Sequence, residues 1–259
     1  MWSDLNNKLA WFEPISLSKM NATASLLERI DTKYILTEKK FQEIMPELEK
    51  DFFILNINWK SIFTYDSVYM DTENYDFYKQ HQNEEKSRTK IRTRLYKDSD
   101  MAFFEYKQKV NWLTRKFRYL FPSDEHGKMT KWKTRFFEWV YASFYWKLPE
   151  KIFPSLKSEY NRLTLCSKKS SERITIDFNI KVKDLRSESQ ENTELNNLVI
   201  IESKSLNKKS ESKEIMKKVK IKPISNCSKY CLWLIYSKVI SEPWIFNKTI
   251  EKIEKIRNK

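Results

Sequence analysis

The stretch Arg88–Val110, RTKIRTRLYKDSDMAFFEYKQKV, decides the fold. Two β-prone runs, Thr89–Tyr96 and Ala102–Val110, flank the turn Lys97-Asp98-Ser99-Asp100, which is the pattern of a hairpin made without glycine. Successive residues on a strand face opposite ways. Arg88, Lys90, Arg92 and Arg94 therefore share one face, and Thr89, Ile91, Thr93 and Leu95 the other. On the second strand Phe103, Glu105, Lys107 and Lys109 oppose Phe104, Tyr106 and Gln108.

The same alternation recurs downstream. Tyr160, Arg162 and Thr164 align within Glu159–Cys166. Arg173, Thr175 and Asp177 oppose Ile174 and Ile176, and Glu202 and Lys204 oppose Val199 and Ile201. On any one strand this is the ordinary look of a half-exposed antiparallel sheet. A generic wet face would scatter Ser, Thr, Gln and Glu, however, and here arginine and lysine return at alternate positions. Like charges placed together repel unless something neutralises them, and a bound polyanion does so. The expected class is α+β, a closed antiparallel β-barrel with a basic, ligand-holding interior and helices packed outside. Alternation does not by itself separate such an interior from a wet face.

Composition narrows the chemistry. The chain has 259 residues, 40% of them hydrophobic, with 49 Lys+Arg against 35 Asp+Glu for a net charge of +14. That size and apolar content allow a real core, and the charge favours a polyanionic partner or a solvated basic surface. Gly127 is the sole glycine, which excludes a Walker A loop and a Rossmann fingerprint, since both need several glycines for close backbone approach to phosphate. Phosphates would have to be held by side chains. Cys166, Cys227 and Cys231 form no CxxC pair, and His81 and His126 are the only histidines, so neither a disulfide framework nor a histidine zinc site is expected. Met1–Asn21 mixes charged and apolar residues and predicts no secretory signal. The most apolar run, Cys231–Tyr236, is far too short to span a membrane.

The remaining elements read as follows. A lead-in, residues 1–27, offers Trp2, Leu9, Trp11 and Phe12 for docking. Arg29–Leu36 reads as a strand, and Thr37 caps a helix to about Asp51 with Phe41, Ile44, Met45 and Leu48 on one face and Pro46 inside it. Ser61–Asp71 reads as a strand and Asn74–Glu85 as a turn with a short helix. Residues 112–156 read as an aromatic, helical insertion, helical over Lys131–Trp146. Strands follow near Glu159–Cys166, Arg173–Phe178 and Leu198–Ser203, with a polar loop over Asp184–Asn197 and a helix near Glu211–Lys218. Ser228–Ile235 fits a strand or a buried helix. Pro243–Lys259 reads as an amphipathic helix with Phe246, Ile250 and Ile253 inward. A single domain is expected, with its barrel core over residues 28–235.

Glu105 and Glu202 each precede a lysine by two residues on the same face. Such a carboxylate either spaces the cations as an internal salt bridge or holds a divalent metal shared with substrate phosphates.

The order of motifs resembles the catalytic domain of the vacuolar transporter chaperone (VTC) family of polyphosphate polymerases, which have the triphosphate tunnel metalloenzyme fold. The matching pieces are Glu28-Arg29-Ile30-Asp31-Thr32-Lys33-Tyr34, Val68-Tyr69-Met70-Asp71-Thr72, Lys90-Ile91-Arg92-Thr93-Arg94 and Phe104-Glu105-Tyr106-Lys107. They continue with Tyr160-Asn161-Arg162, Arg173-Ile174-Thr175-Ile176-Asp177, Val199-Ile200-Ile201-Glu202-Ser203-Lys204 and Ser228-Lys229-Tyr230. The resemblance implies transfer of the γ-phosphoryl group of ATP to a growing polyphosphate chain. It implies catalytic roles for Lys33, Arg92, Arg94, Lys107, Arg162 and Lys229. It implies phosphate binding by Lys90, Lys109, Tyr160, Arg173, Lys204 and Ser228, with Arg115 or Lys116 as a further cation. Mn²⁺ or Mg²⁺ would sit on Glu202, with Glu105 as a second candidate ligand. The implied partners are ATP and inorganic polyphosphate, with a membrane partner for product export as a further candidate and no nucleic acid. The expected location is the cytoplasm, or the periphery of the membrane's inner face. A CYTH-type triphosphatase is the enzymatic alternative, but its ExExK pattern is replaced here by Glu28–Lys33 with Arg29 and Asp31 in the middle. A non-catalytic binder of polyphosphate or nucleic acid is the alternative from another class, since Trp112–Trp139 interleaves aromatic and basic residues.

Overall fold

The computed structural model describes residues 5–23, 30–111, 113–188, 191–206, 210–237, 239–240 and 244–258. Trp2, Glu28, Arg29, Trp112 and Pro243, on which parts of the sequence reading fall, lie outside the described residues.

The chain is mixed α+β, with one large sheet whose central part is antiparallel. In chain order the strands are β1 (Pro14–Ile15), β2 (Ile30–Thr37), β3 (Phe52–Leu55), β4 (Phe63–Thr72), β5 (Ser87–Tyr96), β6 (Met101–Val110), β7 (Leu113–Phe121), β8 (Ile152–Ser167), β9 (Arg173–Asp184), β10 (Asn192–Leu195) and β11 (Leu198–Ser205). The helices are α1 (Leu5–Leu9), α2 (Leu17–Thr23), α3 (Glu38–Asp51), α4 (Asp76–Gln82), α5 (Lys131–Tyr145), α6 (Glu211–Lys218), α7 (Lys229–Tyr236) and α8 (Asn247–Arg257).

The main path of the sheet runs β2-β11-β9-β8-β4-β5-β6-β7, with β3 and β10 pairing at its flanks and β1 parallel to β3. The hairpin β5–β6 pairs in the expected register, Lys90 opposite Lys107 and Arg92 opposite Glu105, and Asp100 takes the positive φ of 50° that its turn needs. The ends of the path, β2 and β7, are not joined by backbone hydrogen bonds among the described residues. Backbone pairing therefore does not close the expected barrel.

The residues expected inward or outward by alternation sort onto two faces. Thr37 accepts a hydrogen bond from the Lys40 amide at 3.1 Å and starts α3. Phe41, Ile44, Met45 and Leu48 of α3 then bury against Tyr34, Leu36, Leu163, Leu165, Val199 and Ile201. Pro46 sits within α3 without ending it. On the other half of the sheet, Ile91, Phe104 and Tyr106 bury beneath Phe137, Val140 and Tyr141 of α5. Both helices cover the outer face and leave the charged face concave.

Several segments differ from the sequence reading. Leu113–Phe121 is a strand rather than part of a helical insertion, because Phe117, Tyr119 and Phe121 alternate onto α5 while Lys116 and Arg118 point with Lys107 and Glu105. Leu148–Leu156, which reads as a short helix or loop, is irregular up to Lys151 and continues as β8 from Ile152. The polar loop Asp184–Asn197 contains β10, paired to β9. Ser228–Ile235 resolves to the helix α7, buried through Tyr230, Cys231, Leu232, Trp233 and Leu234. No helix among the described residues is long and apolar enough to cross a membrane.

One irregularity positions the interior. Between Glu159 and Asn161 of β8 the partner strand β9 carries one extra residue, and Asn179 there has a φ of 51°. Such a bulge inverts the side-chain parity. Before it, Asp177 points inward and Ile176 outward. After it, Ile180 and Val182 turn inward and pack on Tyr230, Leu232 and Trp233. The bulge divides the concave face into a charged part and an apolar part that α7 and α8 fill.

Candidate active site

Two walls of the concave face carry the charge. On one wall, direct cross-strand partners form the rows Lys90–Lys107–Lys116 and Arg92–Glu105–Arg118. On the other, Asp31–Lys204–Arg173 and Lys33–Glu202–Thr175 line up across β2, β11 and β9. The walls are close enough for the charges of Asp31 and Lys33 to act on Lys107 and for Lys33 to act on Lys90.

Three carboxylates bind the cations into clusters. Arg92 Nε donates to Glu105 Oε2 at 2.6 Å, and Arg94 lies 3.7 Å from Oε1. Burial alone would raise Glu105, but Arg92 and Arg94 outweigh it and hold the carboxyl at about 2. Arg162 donates a bidentate pair to Asp177 at 2.6 and 2.8 Å, and Lys229 lies 2.6 Å from the same carboxylate. Burial is again outweighed by the two cations, and Asp177 titrates at about 2. Glu202 lies between Lys33 at 3.5 Å and Lys204 at 3.1 Å. Against burial, Lys204, Lys33 and Lys229 bring it well below the ordinary carboxylate range.

Tyrosines underlie the arginines. Tyr65 and Tyr160 stack with ring centres 5.5 Å apart, and the Arg162 guanidinium sits 4.7 Å from one and 5.3 Å from the other. Arg94 lies over Tyr65 and Arg92 over Tyr69. These contacts fix guanidiniums that would otherwise repel one another.

The Lys90–Lys107 end is different. Lys90 Nζ donates to Ser228 Oγ at 2.8 Å, and Ser228 also caps α7, accepting from the Cys231 amide at 3.3 Å. No carboxylate lies within ion-pair distance of Lys107 among the described residues. Burial, with the Lys90 and Lys116 charges added, lowers Lys107 to about 7 from 10.5. Burial similarly takes Lys90 to about 8, and takes Lys204 to about 8 despite Glu202. A cavity of about 210 Å³ opens here, lined by Arg88, Lys90, Lys107, Lys109, His81 and Ser228 among others. Burial and the charges of Lys90, Arg88 and Lys107 push His81 down to about 2, so its ring is neutral.

Lys33, Lys90, Arg92, Arg94, Lys107, Tyr160, Arg162, Lys204, Lys229, Glu105 and Glu202 thus gather on one concave face, with Arg173 beside Lys204 and Lys109 at the cavity rim. Arg115 instead lies over the Phe144 ring on the outer face, whereas Lys116 joins the lysine row. Sequence reasoning assigned no role to Asp177, Tyr65, Tyr69, Arg88 or His81. Alternation already put Asp177 on the face of Arg173, so its parity was a usable signal. His81 comes from α4, whose placement no local pattern reveals.

The donor set for a metal is sparse. No group of three His, Cys, Asp or Glu side chains is found among the described residues. Glu202 is ionised and faces the interior, which suits Mg²⁺ or Mn²⁺, since such ions keep waters and share one or two carboxylates with substrate phosphates. Glu105 has both oxygens turned to arginines, as Glu202 has one turned to each of two lysines, so both also space cations, Glu202 at the longer distances.

Among solved structures the chain is similar to a putative adenylate cyclase from Bacillus halodurans, at 13% identity over 78% of this chain and 94% of that chain, with a TM-score of 0.46. It is also similar to a putative adenylyl cyclase from Hippeastrum described as having a dominant triphosphatase activity, at 10% identity over 80% and 95% of the two chains, TM-score 0.46. A third is a Pyrococcus horikoshii protein at 15% identity over 81% and 99%, TM-score 0.41. No curated protein matches the chain by sequence. The family model of the VTC domain matches residues 28–234. That stretch carries both charged walls and Lys229, and the chain belongs to the VTC domain family.

Proposed function

We propose that the chain is a metal-dependent polyphosphate polymerase, a single tunnel domain that transfers the γ-phosphate of ATP onto a growing inorganic polyphosphate chain and releases ADP. The observation that carries this reading is the buried cross-strand pair Lys90–Lys107, with no carboxylate in ion-pair distance among the described residues, facing Lys33 across the concave interior. Two directly opposed buried lysines are an unfavourable arrangement that a polyanion relieves.

In this reading Lys33, Arg92, Arg94, Lys107, Arg162 and Lys229 hold the reacting phosphates. Lys90, Lys109, Tyr160, Arg173, Lys204 and Ser228 hold the rest of the chain and the nucleotide phosphates. A terminal polyphosphate oxygen attacks the γ-phosphorus, the bond to the β–γ bridging oxygen breaks, and ADP leaves with that electron pair. Catalysis is positioning and charge stabilisation by fixed cations. Glu202 would hold Mn²⁺ or Mg²⁺, which when bound neutralises phosphate charge.

The interior carboxylates suit an acceptor that needs no general base. Glu105 and Asp177, both at about 2, and Glu202, well below the ordinary range, are poor bases. A polyphosphate end is already anionic and needs no base, whereas water does. Incubation with ATP and Mn²⁺ is expected to give long polymer on a gel together with ADP. Orthophosphate alone would make the chain a triphosphatase, and products matching a no-enzyme control would remove the enzymatic reading. Glu202→Gln is expected to raise the metal concentration needed for half-maximal rate about tenfold or more, measured by titrating Mn²⁺ at fixed ATP.

Binding is also expected to take up protons. At pH 8 Lys107 is largely neutral and Lys90 and Lys204 are half charged. A polyanion favours their charged forms, so affinity falls as pH rises from 7 to 9 by the linkage relation. Calorimetry of tripolyphosphate in two buffers should show greater proton uptake for the wild type than for Lys107→Met, a difference that cancels the ligand's own titration. Equal uptake would contradict the depressed lysine.

A further inference from the structure

The outer stripe of α5 has no part in the concave site. Trp132 and Trp139 are seven residues apart and so lie nearly on one line of the helix, and Trp146 caps its C-terminal end with a φ of 53°. They are 72%, 66% and 93% exposed. The opposite face of α5 is occupied, with Phe137 and Val140 buried on the sheet, so the indoles are not core residues left uncovered. Leu148, 78% exposed, follows shortly after Trp146. Trp132 and Trp139 are about 10 Å apart along a convex ridge, from the helical rise per residue.

The same ridge is basic. Lys131, Arg135 and Lys147 are exposed along it, and Arg135 lies over the Trp132 ring at 5.6 Å. The acids near it are Glu138, partly buried, and Glu150, exposed. Aromatic indoles interleaved with cations on one helix face match the water–hydrocarbon boundary of a bilayer with anionic headgroups. Single-stranded nucleic acid would instead call for a groove that tracks a backbone, and a convex ridge provides none. Opposed like charges disfavour face-to-face pairing of two such ridges.

We infer that the Trp132–Trp139–Trp146 ridge of α5 docks the protein onto an anionic lipid surface, with the indoles inserted at headgroup depth and Lys131, Arg135 and Lys147 against the lipid charge. This is independent of the chemistry assigned to the concave face. The test is co-sedimentation of the full chain with vesicles of phosphatidylcholine alone or mixed with phosphatidylglycerol, with tryptophan emission recorded in parallel. The wild type is expected to pellet with the anionic vesicles, with a blue shift in emission, and to be released by high salt. The triple variant Trp132→Ser, Trp139→Ser, Trp146→Ser is expected to lose at least tenfold in vesicle binding. Its circular dichroism and thermal midpoint should be unchanged, since these side chains are exposed. Arg135→Glu with Lys131→Glu should lose binding with all the indoles intact. Three results would overturn the inference: no binding to either vesicle, retention of binding by the triple variant, or self-association or oligonucleotide binding that depends on the tryptophans while vesicles are ignored.

Discussion

Lys107→Met is expected to lose polymer synthesis by about 100- to 1,000-fold, the effect of removing one fixed charge-stabilising donor, while making the folded chain more stable. The two signs follow from one fact. Lys107 stands between Lys90 and Lys116 across the strands, and burial and those charges lower it to about 7. The unfolded chain binds that proton up to about pH 10.5 and the folded chain only to about 7. Its presence therefore opposes folding fully below pH 7, and the penalty fades as pH rises toward 10.5. A methionine fills similar volume without the charge. A gain of about 1 kcal/mol would appear as roughly 2–4 °C in the thermal midpoint for a chain of this size. Thermal scans at pH 6.5 and pH 10 beside a polymer assay check it. A variant that is less stable at pH 6.5, or one that keeps full activity, would refute this account of the lysine row.

Asp177→Asn is expected to be the most destabilising conservative change in the interior. The Asp177 carboxylate is buried and holds Arg162 by two hydrogen bonds and Lys229 by an ion pair. Removing one partner from a buried ionic cluster leaves the others uncompensated, at a cost of about 3–5 kcal/mol. Here two cations are stranded. The sign with pH is the reverse of Lys107: Asp177 titrates at about 2 against an ordinary 3.8, so its stabilisation is full above pH 3.8 and is lost as pH falls toward 2. Tripolyphosphate at a hundred times its Kd should restore about 2.7 kcal/mol to the wild type, and more to the variant, whose stranded cations gain a counterion. Denaturant curves with and without tripolyphosphate measure both. A loss below about 1 kcal/mol, or ligand stabilisation equal in the two proteins, would rule the cluster out as a counterion for the site.

Much of this site was legible locally. Parity put Arg92, Arg94, Lys107, Arg162, Glu202 and Lys204 on charged faces, and a Thr37 cap with apolar residues at helical spacing specified α3. The strand β7 was missed although Phe117, Tyr119 and Phe121 alternate with Lys116 and Arg118, because it lies next to a helix of the same aromatic and basic composition. Parity also failed past Asp177. A bulge at Asn179 is a one-residue excess against the partner strand, and no single strand contains the register of its neighbour.

The charged face seen first in Arg88–Val110 follows from period-two alternation, as does the absence of backbone phosphate loops from the lone Gly127. These are properties of covalent order and strand geometry. Whether that face is wet or enclosed was decided only in three dimensions, by α3 and α5 covering the apolar side and by β2 and β11 standing opposite β5 and β6. The pairing of Asp177 with both Arg162 and Lys229 was likewise decided there. Those groups come from β9, β8 and the first turn of α7, and electrostatic attraction over a few ångströms acts on distance in space, which chain order does not contain.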